Sequence, residues 1–203
     1  MKAIDLAVVT GAGRGIGKAV AKRFGEKGVH VLCISKSSNA EKTSAEIRSV
    51  GGSSEALVLD LCDVLTAKYK VSSWIQNLPY RSISLNLAAG ILGQNSSLGD
   101  DDLSSWMETF KANVFGNLAV VQSLLPRMKE AKFGRIIFFS GGGGAFPFPE
   151  FSAYAASNVA IVRIAENLHL ELSKHGDFCI VSFAPGTVRT DMLKKVETAG
   201  ISV

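Results

Sequence analysis

Between Thr10 and Gly17 the chain reads Thr-Gly-Ala-Gly-Arg-Gly-Ile-Gly, which spaces Gly11, Gly15 and Gly17 as G-x-x-x-G-x-G. An apolar run, Ile4 to Thr10, precedes this segment, and a helical pattern, Gly15 to Lys27, follows it. A strand, a glycine turn and a helix start in that order aim backbone N–H groups and the positive end of the helix at one spot. Glycines there carry no Cβ to keep an anion at a distance. A pyrophosphate is the ligand class that suits such a cradle. Its candidate contacts are Gly11, Gly13, Arg14, Gly15, Ile16 and Gly17. The alternative is a plain tight turn that holds no ligand.

The next informative position lies at the end of the second apolar run. An acidic residue there would bind a ribose 2′-hydroxyl and favour NAD(H). This sequence has Ser35-Lys36-Ser37-Ser38 instead. Lys36, together with Arg14, is suited to neutralise a 2′-phosphate, which favours NADP(H), with NAD(H) as the second choice. The competing reading is that both cations are simply solvated.

The elements that position these residues follow from periodicity. Short apolar, β-branched runs at 4–10, 29–35, 55–60, 83–87, 135–140 and 178–184 read as strands. Most are apolar throughout, as expected when helices cover both faces of a parallel sheet. Helical patterns lie between them, at 15–27, 39–50, 63–77, 103–132 and 151–175. Pro126 predicts a kink or a break in the fourth of these. The alternation predicts an α/β fold, a three-layer doubly wound parallel sheet of Rossmann type, as a single domain over residues 1–203.

Composition agrees with that class. The 203 residues are 47% hydrophobic and 20% charged, enough to bury a large core. Net charge is +4, from 22 basic and 18 acidic residues that are scattered, which argues against a nucleic-acid footprint. Cys33, Cys62 and Cys179 lack metal-ligand spacing, so no metal site is expected. Cys33 and Cys179 lie in apolar runs, where a buried free thiol is the expected state. No run is long enough to cross a bilayer, and the N-terminus has no signal-peptide layout. A cytoplasmic protein without membrane contact is the resulting expectation.

The Thr-Gly-x-x-x-Gly-Ile-Gly element resembles that of the short-chain dehydrogenase/reductase family, and later family elements follow in order along the chain. The resemblance implies hydride transfer between a nicotinamide cofactor and a small carbonyl or alcohol. It implies an adenine contact for Asp60 in Leu57-Val58-Leu59-Asp60. Ala88-Ala89-Gly90 partly matches the family's Asn-Asn-Ala-Gly element, with Asn86 one position early, and implies cofactor contacts from Ala88 and Gly90. Pro185-Gly186-Thr187-Val188-Arg189-Thr190 matches the Pro-Gly segment and implies cofactor contacts from Pro185, Gly186, Val188 and Thr190, with the backbone around Thr187 and Val188 on the nicotinamide side and Thr190 on the nicotinamide amide or a phosphate.

Four catalytic positions are implied as well. Tyr154, in Ser-Ala-Tyr-Ala-Ala-Ser, aligns with the family's proton-transferring Tyr, and Asn113, in Ala-Asn-Val-Phe-Gly, with the proton-relay Asn. The family places a Lys four residues after the Tyr, on the same helix face, and this chain has Asn158. A free Tyr titrates near 10, and bringing it to about 7 takes roughly 4 kcal/mol of preference for the anion. An ammonium can supply much of that and an amide cannot, so chemistry slowed by roughly two to four powers of ten is expected. Ser140 precedes Tyr154 by one residue more than usual, which puts Gly141 at the usual Ser position. Either the glycine run carries an extra residue and Ser140 still faces the substrate, which is the favoured reading, or the Ser is missing.

The remaining expectations concern surroundings. The chain stops soon after the Pro-Gly segment, either as a naturally short member or as a truncation, so a short substrate lid and an open sheet edge are expected. The helical stretches 103–132 and 151–175 resemble the family's four-helix interface and imply a homodimer or homotetramer. Phe146, Phe148 and Phe151 suit either an apolar pocket wall or a packing cluster.

Overall fold

The computed structural model describes residues 3–198. Six strands form one parallel sheet in the order β3-β2-β1-β4-β5-β6. They are β1 (Leu6–Thr10), β2 (His30–Ser35), β3 (Ser54–Val58), β4 (Ile83–Leu87), β5 (Phe133–Phe139) and β6 (Asp177–Phe183). The order runs outward from β1 in one direction and from β4 in the other, so the chain reverses direction between them. A crevice opens there beyond the carboxyl ends of Thr10 and Leu87, which are paired in register.

β1 is buried over its whole length, and its alternate residues serve two cores. Leu6 and Val8 join Val71, Leu124, Met128 and Ile161 on one face, beneath α3 (Val64–Ile75), α5 (Gly116–Glu130) and α6 (Ser152–Leu172). Val9 joins Ala21, Ala40 and Ile47 on the other, beneath α1 (Gly15–Glu26) and α2 (Asn39–Ser49). Each fully buried Leu, Val or Ile contributes roughly 1.5–3 kcal/mol. Both faces of β1 are thereby pinned, and Gly11 follows from a rigid base.

Three expectations are corrected, and one helix is added to them. The third strand ends at Val58, and Asp60 lies beyond it in a turn where its carboxylate accepts from the Cys62 N–H at 2.9 Å. The stretch 103–132 does divide, but at Lys111–Phe115 and not at Pro126, which α5 accommodates in its interior. A single π turn joins α4 (Leu103–Phe110) to α5 there, with the Gly116 N–H reaching back to Lys111 C=O. Asn117 Nδ2 donates to Asn113 C=O at 2.9 Å, so a side chain stabilises the wider turn. Cys179 is exposed, not buried. β6 buries Phe178 and Ile180 on one face, while Val181 and Phe183 on the other stay 42% and 50% exposed, with Phe183 edge-on to Phe139 at 5.8 Å. Finally, Asp191–Thr198 forms a helix, α7, that the sequence reading did not foresee. Among the described residues no helix is long and apolar enough to cross a membrane.

Candidate dinucleotide and active site

A cavity of about 480 Å³ lies at the crevice. It is lined by the whole glycine loop named above, by Lys36, Asp60, Ala88 and Gly90, by Asn113, Ser140, Tyr154 and Asn158, and by Thr190. Pro185, Gly186 and Val188 stand in the preceding turn, and the wall from that segment is Thr190, Asp191 and Met192 instead. Gly186 adopts φ +73°, a conformation that favours glycine in this turn, and an added Cβ there would meet open space.

The glycine loop is built by close approach. At Gly17 an added Cβ would collide with the Gly11 carbonyl, so this glycine lets α1 begin directly against the strand. Gly11 sits at φ +66°, where an added Cβ would lie 2.8 Å from Ala88 O. Two of the three motif glycines therefore serve packing of the chain on itself, and the phosphate-sized space is a consequence. The first N–H groups of α1 have no intrahelical partner, and no acidic residue occupies its first turn.

Asn117 ties the walls together and was not foreseen. Thr10 Oγ1 donates to Asn117 Oδ1 at 2.8 Å and accepts from the Ala89 N–H at 3.0 Å, while Asn117 Nδ2 also donates to Ala89 C=O. Ala88-Ala89-Gly90 is held by this pair. Asn86 does not share the work, because its amide is buried in β4 and donates to Ser84 Oγ at 3.1 Å. A signal was available: Asn117 lies four residues after Asn113, on the same side of the chain.

Asn113 is also fully engaged. Its Oδ1 accepts from the Ile91 N–H at 2.7 Å, and its Nδ2 donates to Ile91 C=O and to Ser157 Oγ at 2.9 Å. The π turn thus fastens the floor of the cavity to α6.

At the glycine-loop end the cavity is charged. Lys36 Nζ pairs with Asp60 Oδ2 at 2.9 Å, although the lysine side chain is 70% exposed. Burial works against the Asp60 charge, but the hydrogen bonds from Lys36 and the Cys62 N–H outweigh it and hold the carboxyl below its usual range. The hydrogen bond to Asp60 raises Lys36 in turn. Arg14 lies 4.0 Å from Asp191, with both groups solvated. Solvent screens pairs of this kind, so both cations can turn to an incoming anion at little cost.

At the other end the chemistry is neutral. Tyr154 is half-buried beside Phe148, whose ring centroid lies 6.1 Å away. Desolvation pushes the phenol above its ordinary value of 10.0, and the side-chain hydrogen bond with Asn158 opposes this only in part. Ser140 is buried, with its N–H donated to Phe183 C=O at 3.0 Å. Gly141, at the usual Ser spacing, lies directly against the Tyr154 phenol, so that a Cβ there would collide with the hydroxyl. Of the three phenylalanines, Phe151 is buried in a packing cluster with Leu92 and Val196, Phe148 packs on that cluster, and Phe146 is 73% exposed.

Comparison with known proteins places this architecture. The family model described as short chain dehydrogenase matches residues 5–200. A short chain dehydrogenase of Pseudocercospora fijiensis is 34% identical over 191 residues, which is 92% of this chain and 60% of that protein. The chain thus spans about three fifths of that relative's length. A protein assigned as an NAD(P) dependent gluconate 5-dehydrogenase from Beutenbergia cavernae, solved with bound NADP, superposes with a TM-score of 0.88 at 28% identity, covering 96% of this chain and 77% of that one. A 3-ketoacyl-ACP reductase from Sinorhizobium meliloti superposes at 0.85 with 30% identity, covering 92% and 74%.

Proposed function

Because the chain belongs to the short chain dehydrogenase family, we propose that it is an oxidoreductase that takes NADP(H), or less readily NAD(H), and interconverts a small carbonyl and its alcohol. The observation that carries this reading is a single cavity of about 480 Å³ shared by the glycine-loop cradle and the Tyr154 hydroxyl. The cradle fits a dinucleotide: glycines meet the chain at Gly11 and Gly17, the first N–H groups of α1 lack intrahelical partners, and two cations, Arg14 and Lys36, line the cavity. The bound NADP of the Beutenbergia cavernae protein supports the same cofactor here.

When bound, the cofactor supplies or accepts the hydride. The chain's own residues do the rest. The glycine loop and the start of α1 hold the pyrophosphate, and Asp60 faces the adenosine end. Arg14 and Lys36 neutralise a 2′-phosphate. Tyr154 stays protonated at neutral pH, so in the reducing direction it donates its proton to the oxygen of the new alcohol. Ser140 is the second hydroxyl on the same wall and orients the carbonyl oxygen. Asn113 acts by holding the Ile91 backbone and Ser157 in place. Thr190 lines the cavity beside Gly15.

A second reading, a dinucleotide-binding protein that has lost the chemistry, is favoured by Asn158 and by the absence, among the described residues, of any charged contributor to Tyr154. The two separate in one experiment: follow NADPH oxidation against a panel of small ketones and aldehydes in the native chain and in Tyr154→Phe. Tyr154-dependent turnover supports the enzyme. Cofactor binding without turnover supports the second reading.

Leu103, Met107, Phe115, Val159 and Leu170 expose large apolar area on α4 to α6, which supports a homodimer or homotetramer through these helices. The three unpaired thiols favour a reducing, cytoplasmic setting.

A further inference from the structure

Asn158 lies one helical turn after Tyr154 and is 3% exposed. Both of its polar atoms are spent within the protein. Its Oδ1 accepts from the Gly141 N–H at 2.7 Å, and its Nδ2 donates to Tyr154 C=O at 2.9 Å. Gly141 opens the loop after β5, and its C=O accepts from the Gly144 N–H at 2.9 Å to close the short turn that follows. Another side of Gly141 carries the Tyr154 phenol, in the volume a Cβ would need. The two departures from the family pattern, Gly141 and Asn158, therefore touch each other and the same tyrosine.

We propose that Asn158 is a positioning residue which, with Gly141, forms one unit that seats the Tyr154 hydroxyl. Asn158→Lys alone then unseats the hydroxyl and does not raise turnover. A lysine carries donors and no acceptor, so the Gly141 N–H would lose its partner and face an ammonium. An unpaired buried donor beside a buried charge is costly on both counts. A Ser at 141 is blocked as well, because its Cβ takes the space of the phenol oxygen. Gly141 and Asn158 act as a matched pair. The consequence for turnover rests on the oxidoreductase reading, whereas the pairing itself does not.

Hydrogen exchange of the Gly141 amide tests the unit in the full chain without cofactor. A buried amide hydrogen bond of about 1.4 kcal/mol corresponds to about tenfold in exchange. The amide should exchange about tenfold faster in Asn158→Lys and Asn158→Ala, and at the native rate in Asn158→Asp, which keeps the acceptor. Phenolate absorbance, with Tyr154→Phe subtracted, supplies a second readout. Asn158→Asp should raise the Tyr154 titration while Gly141 stays protected, which separates charge from position. Should the Lys and Ala variants not fold, Asn158→Gln replaces them, with the same faster exchange expected from its displaced amide. Native exchange rates at Gly141 in Lys, Ala or Gln variants would overturn the proposal. So would a tenfold gain of turnover in Asn158→Lys. Failure of NADPH to bind the native chain would count against the oxidoreductase reading and leave the exchange result standing.

Discussion

The two ends of the cavity are built on different principles. The glycine-loop end holds Arg14, Lys36, Asp60 and Asp191, with cations resting in exposed ion pairs that an anion can displace. The Tyr154 end holds Ser140, Asn113, Asn158 and Gly141, with the two asparagines' amides committed to backbone and side-chain partners at 2.7–3.0 Å. One end is electrostatic and adaptable, and the other is neutral and rigid. Binding a charged dinucleotide and orienting a neutral carbonyl make those two different demands. The comparison also locates the weakness of the site. Among the described residues no charge assists the phenol, so burial and the neutral hydrogen bond with Asn158 set what Tyr154 can do.

The largest effect expected from breaking the rigid end is Tyr154→Phe, which removes the only proton donor proposed for the substrate. Turnover should fall by about 10²- to 10⁴-fold with NADPH affinity unchanged, as read by steady-state kinetics beside calorimetry. The pH profile sharpens the same point. Desolvation raises the phenol above 10.0, so it is protonated throughout the neutral range. Reduction should therefore stay level with rising pH until beyond 10.0 and fall only where the phenol ionises. A fall near neutrality would show that a different group gives the proton.

Breaking the adaptable end costs less. Gly17→Ala forces a Cβ into the Gly11 carbonyl, and overpacking of about 1–3 kcal/mol should weaken NADPH binding by roughly 10- to 100-fold. Lys36→Ala removes one exposed cation. It should lower the preference for NADPH over NADH by about tenfold or less, with NADH affinity little changed. A larger loss of NADH affinity would mean that Lys36 supports the adenosine pocket through Asp60 and does not read the phosphate.

The smallest effect lies outside the cavity and serves as a control. His30 stacks on Tyr80 with centroids 5.1 Å apart, and burial lowers its pKa below 6.5 although Glu55 pulls the other way. The unfolded chain then takes up the proton first as pH falls. Its stabilising contribution is complete above 6.5 and declines below it, toward the folded value. Denaturant titrations on either side of 6.5 should show a shallower pH slope in His30→Gln than in the native chain.

How much the sequence revealed tracks how local the cause was. β1, the glycine loop and α1 were legible because a fully buried strand is apolar at every residue and the loop follows it directly. Asp60 was read as a strand end because its neighbours Leu59 and Leu61 are buried and apolar, yet it belongs to a turn closed by its own side chain. The π turn at Lys111–Phe115 depends on Asn117 reaching Asn113 C=O, a contact that Pro126 overshadowed in the one-dimensional pattern. Cys179 looked buried because β6 is apolar, but the face of that strand that carries Cys179 and Val181 is exposed. At the site, most of the candidate residues line one cavity. Pro185, Gly186 and Val188 were not separated from Thr190, because only the turn geometry distinguishes them. Asn158 was legible as a missing charge and illegible as a clamp, because its partner, the Gly141 N–H, is seventeen residues away and carries no side-chain signature.

The central claim is that the cavity beneath the glycine loop takes a phosphorylated nicotinamide dinucleotide. Calorimetric titration of the native chain with NADPH and then with NADH tests it most directly. The structure predicts saturable binding of both with NADPH the tighter. No binding of either nucleotide at millimolar concentration would contradict it.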